Sequence, residues 1–281
     1  MSAMEKRGID ISRYQGQPDF SKVKTAVDYV ILQAGFGRYA SQVDAEFECS
    51  YAECKKHKIP VGVYWFSYAV SPDDARQEAR ACMEVIKGKQ FEYPIYFDIE
   101  GSACSGDVSG KCRAFCDELE KAGYFSGIYI SRSPAQQYLN EYCRTHYALW
   151  LAEYSPTGLH WSGDVGMWQW GSTGQVAGIR GDVDTDICYV DYPTMIKRAG
   201  LNGFPKSDPE PMDTDIWWKK GDKDKGIYAV KQRMIALGFV RLDNTSGFGG
   251  GTENAVKALQ EQWGYKPTGE IGKNFVDRVM R

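Results

Sequence analysis

The segment YPIYFDIE, residues 93–100, is the part of this 281-residue chain that decides the predicted fold. Its run of apolar and aromatic residues is typical of a buried strand. Because side chains alternate along a strand, Tyr96, Asp98 and Glu100 should project to one face and the intervening apolar residues to the other. Two carboxylates would then share one side of the strand's C-terminal end, although two solvated surface acids would give the same pattern.

Seven further candidate strands alternate with amphipathic stretches around this one. The eight strands are predicted at residues 8–12, 29–34, 60–66, 93–99, 126–131, 148–153, 166–170 and 184–188. Helical patterns fill the first five gaps, most clearly at 45–57, 73–87 and 108–122. The last two gaps are rich in turn residues. We therefore predict an α/β barrel smaller than a standard eightfold βα barrel, with loops joining its last three strands.

A repeat near the C-terminus predicts a separate helical module. AVKQRMIALGF at 229–239 aligns with AVKALQEQWGY at 255–265, and the glycines of both copies, Gly238 and Gly264, lie where a helix C-cap belongs. Thr252 is predicted to cap the second helix. A third helix is predicted from Lys273 to Met280. A short helical repeat of this kind could equally serve dimerisation.

A proline-rich segment separates the two parts. FPKSDPEP contains three prolines in eight residues, a composition that favours an extended linker. We therefore predict a catalytic barrel at residues 1–203, a linker at 204–216 and a helical module at 217–281.

Composition argues against several classes of protein. The 34 basic and 37 acidic residues leave a net charge of −3, without the excess of positive charge that a nucleic-acid-binding protein needs. No stretch approaches the roughly 20 apolar residues of a membrane helix, and MSAMEKRGIDIS lacks a hydrophobic signal region. We therefore expect synthesis in the cytoplasm without a signal peptide, and no membrane partner.

Cysteine and histidine usage gives no support for a cofactor or metal. The eight cysteines include no Cys-x-x-Cys pair, and the three histidines are far apart in the sequence. We expect no cofactor, no metal site, and buried free thiols rather than disulfides.

Two more aspartates lie where they could join the carboxylates of the fourth strand. Asp10 follows the apolar run of the first strand in GIDIS, and Asp184 opens the eighth in GDVDTDI. In a closed barrel, the C-terminal ends of the first, fourth and eighth strands would meet at one mouth. Crowded carboxyls do not all ionise, so one would stay protonated near neutral pH and could donate its proton, as glycosidic cleavage requires.

Aromatic residues, 14% of the chain, occur at the same predicted strand ends. Flat rings with one polar edge suit stacking on sugars, although any one of these rings could simply belong to the core. Together with one amide in MWQWGS, the candidate substrate-binding residues are Tyr64, Phe66, Trp150, Tyr154, Gln169 and Trp170.

Five ordered motifs carry a resemblance to a known family. GIDISRYQG, VGVYWFSYA, YFDIE, LWLAEY and MWQWGSTGQVAGIRGDVDTDI resemble the family 25 glycoside hydrolases, the Chalaropsis-type lysozymes or N-acetylmuramidases of phage endolysins and bacterial autolysins. The resemblance implies a (β/α)5β3 barrel that hydrolyses the β-1,4 bond between N-acetylmuramic acid and N-acetylglucosamine in bacterial peptidoglycan.

The resemblance also implies roles for individual residues. Glu100 would be the general acid, and Asp98 would orient or stabilise an oxocarbenium or an oxazolinium ion. Asp10 and Asp184 would complete the acidic floor, and Tyr64 would line the sugar site.

Two positions depart from the family pattern. Asp186 stands where the family commonly has Asn, so either Asp184 or Asp186 could face the pocket, and Asp184 matches the motif better. Gln33 stands where the family often has a basic residue, which bears on substrate preference rather than on the reaction.

The tail resembles a small three-helix peptidoglycan-binding module through LGF, GFGGG and TENAV. Together, the two resemblances predict a monomeric, endolysin-like muramidase that acts on the bacterial cell wall after release, with the tail holding it on the wall. A glycosidase acting on another N-acetylhexosamine polymer such as chitin is one alternative. A non-catalytic cell-wall-binding protein is another, although a pure binder has no need of a proton donor. A cysteine-histidine amidase lacks a recognisable nucleophile motif.

Overall fold

The computed structural model describes residues 5–206, 210–239 and 242–280. The chain divides into two compact units, Met1–Lys206 and Ser207–Arg281, each with its own apolar core. Residues 1–4 of the N-terminal segment and residues 207–209 of the predicted linker lie outside the described residues.

Unit one is a closed barrel whose strands follow one another in chain order around the ring. The strands are β1 (Lys6–Ile11), β2 (Tyr29–Phe36), β3 (Val61–Phe66), β4 (Ile95–Asp98), β5 (Ser126–Ser131), β6 (Ala148–Ala152), β7 (Met167–Gly174) and β8 (Val183–Cys188). The helices are α1 (Phe20–Ala26), α2 (Phe47–Lys56), α3 (Pro72–Ile86), α4 (Val108–Lys121), α5 (Arg132–Tyr138), α6 (Glu141–His146) and α7 (Tyr192–Ala199). Helices occupy the first five gaps and loops join β6, β7 and β8, so the predicted irregular barrel is confirmed.

The direction of β8 differs from the prediction. Strands β1 to β7 are parallel, whereas β8 pairs antiparallel with both β7 and β1. The expectation that the C-terminal end of the eighth strand reaches the barrel mouth is therefore wrong. The loop between β7 and β8 is too short for a crossover, so β8 returns directly and brings its N-terminal end, with Asp184, to the mouth.

The predicted alternation along β4 is confirmed. Phe97 packs outward, in the layer between barrel and helices, and its ring stacks on Phe115 of α4 at a centroid distance of 4.3 Å. Tyr96 belongs to the barrel interior, where its ring meets that of Trp150 at 5.0 Å. Tyr96 and Asp98 therefore both lie on the inward face of β4, and both are buried.

Glycines make room for the large rings that fill the barrel interior. Gly8 of β1 is paired with Tyr29 of β2, and Gly127 of β5 is paired with Tyr96 of β4. A Cβ at Gly8 would lie 2.2 Å from a Tyr29 ring carbon, and a Cβ at Gly127 would lie 2.5 Å from the Tyr96 ring. These small residues therefore allow tyrosines to occupy the axis of the barrel.

Unit two contains the three predicted helices. They are α8 (Lys225–Ala236), α9 (Gly250–Gln262) and α10 (Lys273–Val279), and a two-stranded antiparallel sheet joins β9 (Ile216–Trp218) to β10 (Ile271–Gly272). Gly238 and Gly264 have φ values of 102° and 77°, as a helix C-cap glycine requires. The prediction for Thr252 is wrong: Gly249 is the N-cap of α9, and Thr252 lies buried inside the helix.

Two buried polar side chains fix the loops of unit two. The Lys231 ammonium donates hydrogen bonds to the Asp243 carboxylate at 2.5 Å and to the Gly247 carbonyl at 2.9 Å. Gln260 donates to the Glu270 carbonyl at 2.9 Å and accepts from the Gly269 N–H at 2.9 Å. Each helix of the repeat thus holds the loop that follows it.

All eight cysteines are free thiols, and six of them are buried. Burial raises the pKa of Cys54 and of Cys188 to about 12, so these thiols stay protonated and unreactive. Cys49 is exposed, contrary to the expectation of buried thiols. In the part of the chain that the structure describes, no helix is long and apolar enough to cross a membrane.

We predict that Gly8→Ala destabilises the barrel, because its new methyl group would overlap the Tyr29 ring. Overpacking of this kind lowers the free energy of unfolding by about 1–3 kcal/mol. Gly171→Ala, in β7, is the matched control, since its Cβ would only make an ordinary contact, 3.4 Å from Thr185. Urea denaturation of both variants measures the difference; equal midpoints would contradict the argument.

Candidate active site

A cavity of about 420 Å³ opens at the mouth of the barrel. It lies at the C-terminal ends of the parallel strands, where barrel enzymes place their active sites. It is lined by Asp10, Ile11, Ser12, Arg13, Tyr14, Gln15, Gln33, Phe36, Tyr64, Phe66, Tyr68, Asp98, Glu100, Tyr129, Trp150, Tyr154, Gln169 and Asp184. The four acids predicted from the sequence therefore meet in one cavity.

Strand register explains why the acids meet. Asp10 of β1 is paired with Asp184 of β8, so their side chains share the inward face. Asp98 ends β4, and Glu100 lies two residues further, on the same side of the extended backbone. Asp10 and Asp98 are 6% and 5% exposed, whereas Glu100 and Asp184 are half-buried and accessible from the cavity.

Burial raises the pKa of all four acids, and charge repulsion adds to the shift for Asp10, Asp98 and Glu100. Burial, followed by the charge of Asp184, raises the pKa of Asp10 to about 8, although a hydrogen bond from Gln169 opposes the shift. Burial and then Glu100 raise the pKa of Asp98 well above its ordinary value. The pKa of Glu100 is raised by burial and by Asp184, and that of Asp184 by burial. The cavity therefore retains protons at a pH where ordinary carboxylates have lost them.

Gln169 organises the polar floor of the cavity. Its Nε2 donates a hydrogen bond to Asp10 Oδ2 at 2.8 Å. Its Oε1 accepts from the hydroxyls of Tyr129 at 2.8 Å and Tyr154 at 2.9 Å. One buried amide thus orients a carboxyl and two tyrosines at once, which is how a site keeps its geometry before substrate arrives.

Asp186 lies beneath this floor, fully buried and outside the cavity lining. Its Oδ1 accepts a hydrogen bond from Trp150 Nε1 at 2.9 Å, and its Oδ2 has no donor among the described residues. Burial and then the Asp10 charge raise the pKa of Asp186 well above its ordinary value. A protonated Asp186 can donate to Asp10, and this hydrogen bond lowers the pKa of Asp10. Asp184 is therefore the aspartate that faces the cavity.

The five aromatic residues among the predicted substrate-binding residues divide into three groups. Tyr64, Phe66 and Tyr154 line the cavity with accessible rings, and their contact with substrate stays a prediction. Trp150 also lines it but is only 1% exposed, packed edge-on against tyrosines, so it forms the floor rather than a stacking surface. Trp170 is not in the lining: it is 42% exposed and lies where the pairing of β7 with β8 shifts register between Gln169 and Gly171.

The sequence reasoning did not identify several residues of the cavity. Tyr14 and Tyr68 are 79% and 58% exposed and stand at its rim. Both lie inside motifs that were singled out, immediately after β1 and β3, so their position past a strand end could have identified them. Tyr129 and Arg13 were also missed. Gln33, noted as a departure from the family pattern, does line the cavity.

A buried lysine fixes the loop that follows Glu100. Lys111 of α4 is 1% exposed, and its ammonium donates to the backbone carbonyls of Ala69, Ala103 and Ser105. The first carbonyl belongs to the segment after β3 and the other two to the segment after β4. One cation thus ties together two segments of the cavity rim.

The described ranges contain no group of three or more His, Cys, Asp or Glu side chains that could hold a metal ion.

We predict that Asp186→Asn stabilises the protein increasingly as pH rises. Folding raises the pKa of Asp186 above its ordinary value of 3.8. Below pH 3.8 the side chain is protonated in both the folded and the unfolded chain, and burying it costs no charge. As pH rises from 3.8 toward the folded pKa, the unfolded chain loses this proton and the folded chain keeps it, so the free energy of unfolding falls. The amide can still donate to Asp10 and accept from Trp150, but it does not titrate. Melting temperatures of variant and wild type are measured at about pH 5 and about pH 8, and we expect the variant to gain more at the higher pH. The same gain in melting temperature at both pH values would contradict the prediction.

Comparison with known proteins assigns the two units. The family model "Glycosyl hydrolases family 25" matches residues 9–179, and "Putative peptidoglycan binding domain" matches residues 223–279. The chain is 27% identical over 227 residues to the autolytic lysozyme of Clostridium acetobutylicum, covering 79% of this chain and 68% of that protein.

Solved structures show the same barrel. The autolysin LytC of Streptococcus pneumoniae, solved with a synthetic peptidoglycan ligand, aligns with a TM-score of 0.59 and 29% identity over 66% of this chain. This chain spans 47% of the length of LytC. The CTP1L endolysin has a TM-score of 0.65 over 82% of this chain and 80% of its own, and its 24% identity bears on the fold alone. With its first unit matched and the acids of the cavity in place, the chain belongs to glycosyl hydrolases family 25.

Proposed function

We propose that the protein is a lysozyme of the N-acetylmuramidase type, which hydrolyses the β-1,4 bond between N-acetylmuramic acid and N-acetylglucosamine in bacterial peptidoglycan. The observation that carries the proposal is the convergence of Asp10, Asp98, Glu100 and Asp184, all with raised pKa values, in one cavity rimmed by tyrosines. The similarity to an autolytic lysozyme and to an autolysin solved with a peptidoglycan ligand supports the choice of substrate.

Glu100 is the general acid in this proposal. It is half-buried in the cavity lining, and no described group donates a hydrogen bond to its carboxyl, so its proton is available to the substrate. Its raised pKa keeps it protonated at a higher pH than an ordinary glutamic acid. Proton transfer to the glycosidic oxygen breaks the bond to the anomeric carbon and leaves positive charge on the sugar.

Asp98 stabilises that positive charge. Its Oδ1 has no hydrogen-bond partner among the described residues, which leaves it to the substrate. Positive charge developing on the sugar favours the ionised form of Asp98, either opposite an oxocarbenium ion or while orienting the acetamido group of an oxazolinium ion. Asp10 and Asp184 complete the floor; the charge of Asp184 is what raises the pKa of Glu100 beyond the effect of burial.

We predict that Glu100→Gln abolishes turnover, because the amide keeps the shape of the side chain but has no acidic proton to donate. Losing a general acid lowers the rate by about 10²- to 10⁴-fold. Purified bacterial walls are incubated with each protein, and turbidity, new reducing ends and the identity of the reducing-end sugar are measured. Glu84→Gln, the same change on the exposed face of α3, is the matched control.

The readouts separate the alternatives. Reducing ends on N-acetylmuramic acid, lost only in Glu100→Gln, support the muramidase. Lysis without reducing ends would indicate an amidase or peptidase, and wall binding without lysis would indicate a non-catalytic binder. Cleavage of chitin but not of walls would indicate a glycosidase for another N-acetylhexosamine polymer.

We propose further that the barrel at residues 1–203 is the catalytic domain, that residues 204–216 are a linker, and that residues 217–281 hold the protein on the wall as a monomer. The match of residues 223–279 to a peptidoglycan-binding domain supports this assignment. Tethering raises the local concentration of substrate without any change in the catalytic cavity.

We predict that a chain ending at Lys206 cleaves soluble wall fragments as fast as the full chain but digests intact walls more slowly. The barrel carries its own core, so removing unit two should leave the cavity intact. Reducing-end release from soluble and insoluble substrate, together with sedimentation of each protein with walls, provides the measurement. Equal sedimentation of the two chains would refute wall binding by unit two.

A further inference from the structure

Among the described residues that line the cavity, Arg13 carries the one positively charged side chain, whereas four others carry carboxyls. It begins a short 3₁₀ turn, Arg13–Gln15, directly after β1. The side chain is exposed at the rim, whereas the carboxyls lie on the floor. The proposed mechanism gives this cation no role.

The guanidinium of Arg13 has no carboxylate partner among the described residues. Other arginines that follow strands of the barrel do: Arg38 Nη1 lies 3.0 Å from Asp74, and Arg132 Nε lies 2.9 Å from Glu153. Arg13 instead lies over two rings, 5.2 Å from the centroid of Tyr14 and 5.9 Å from that of Phe36. One of its donors is used, since Arg13 Nη2 donates a hydrogen bond to the Tyr14 hydroxyl at 3.4 Å. Stacking occupies the flat faces of a guanidinium, so its remaining N–H donors stay available.

The backbone of Arg13 is held in place. Its N–H donates to Asp44 Oδ2 at 3.1 Å, and Asp44 is buried. Ser12 and Gln15 close the turn: the Ser12 hydroxyl accepts from the Tyr14 N–H at 3.3 Å, and Gln15 Oε1 accepts from the Ser12 N–H at 3.0 Å. A ligand that uses Arg13 therefore meets a side chain whose backbone is already fixed at the rim, so binding orders only the side chain.

The chemistry of the ligand follows from that of the cation. A guanidinium with open donors binds a planar carboxylate through two parallel hydrogen bonds. The floor carboxyls, whose pKa values are raised, repel an incoming anion less than four ionised acids would. A glycan that bears a carboxylate can therefore bind with its sugar rings against the floor carboxyls and its carboxylate against Arg13 at the rim.

We propose that Arg13 determines specificity by binding a carboxylate that the muramyl unit carries, either a free lactyl group or the peptide attached to it. This inference rests on the proposed function, since it names the feature by which the cavity would distinguish peptidoglycan from an uncharged N-acetylhexosamine polymer such as chitin. Arg13 contacts the substituent and takes no part in bond cleavage.

Three soluble forms of the same glycan strand test the proposal with the full-length protein. One keeps its peptides, the second has them removed to leave free lactyl carboxylates, and the third has those carboxylates converted to neutral methyl esters. Wild type, Arg13→Gln, Arg13→Lys and the control Arg38→Gln are compared by kcat/KM from reducing-end release. Arg38→Gln removes the same charge from an arginine outside the cavity lining.

We expect Arg13→Gln to lower kcat/KM about tenfold on carboxylate-bearing strands and to leave the ester unchanged, with Arg13→Lys recovering part of the loss. A loss confined to the peptide-free strand identifies the lactyl carboxylate, and one confined to the peptide-bearing strand identifies the peptide. An equal effect of Arg13→Gln on all three strands, or none on any, overturns the role of Arg13. If the wild-type protein releases reducing ends from none of the three strands, the proposed function itself is overturned.

Discussion

The antiparallel closure of the barrel by β8 is the constraint on which the site depends. Pairing of β8 with β1 sets Asp10 beside Asp184 and leaves Gly8 beside Asp186, so three carboxyls enter the interior from two strands. Had β8 run parallel to β1, its N-terminal residues would lie at the opposite end of the barrel. The direction of one strand therefore decides whether Asp10 and Glu100 have Asp184 close enough to raise their pKa values.

Several carboxyls can be buried in the barrel because hydrogen-bond donors lie next to them. Gln169 and Trp150 donate hydrogen bonds to Asp10 and Asp186, and protons retained on the acids reduce the repulsion among them. The rings of the interior exclude water and thereby raise the same pKa values. Aromatic packing, hydrogen bonding and proton retention are thus parts of one electrostatic arrangement, not separate stabilising effects.

Local patterns were sufficient for the features that depend on one strand or helix. Alternation identified the inward side of β4 with Asp98, and glycine positions identified the ends of α8 and α9. Features set by pairing between distant segments were not accessible in this way. The direction of β8 follows from a short connection, and the register shift of β7 at Trp170, which lies outside the cavity lining, has no local sequence signal. Nothing local marks Lys111, whose three carbonyl partners come from segments that only the folded chain brings together.

Lys111 has a consequence for how the loop after β4 tolerates substitution in this chain. Because the ammonium satisfies backbone carbonyls and no side chain, residues between β4 and α4 can change identity without losing the anchor, provided that the loop keeps the length that delivers those carbonyls. The Glu100 side chain accepts no hydrogen bond from the described residues and can rotate, whereas the loop that follows it is held in place by Lys111. Substitutions in this loop can thereby alter the surface beside the cavity while the backbone that carries Glu100, the proposed acid, stays in position.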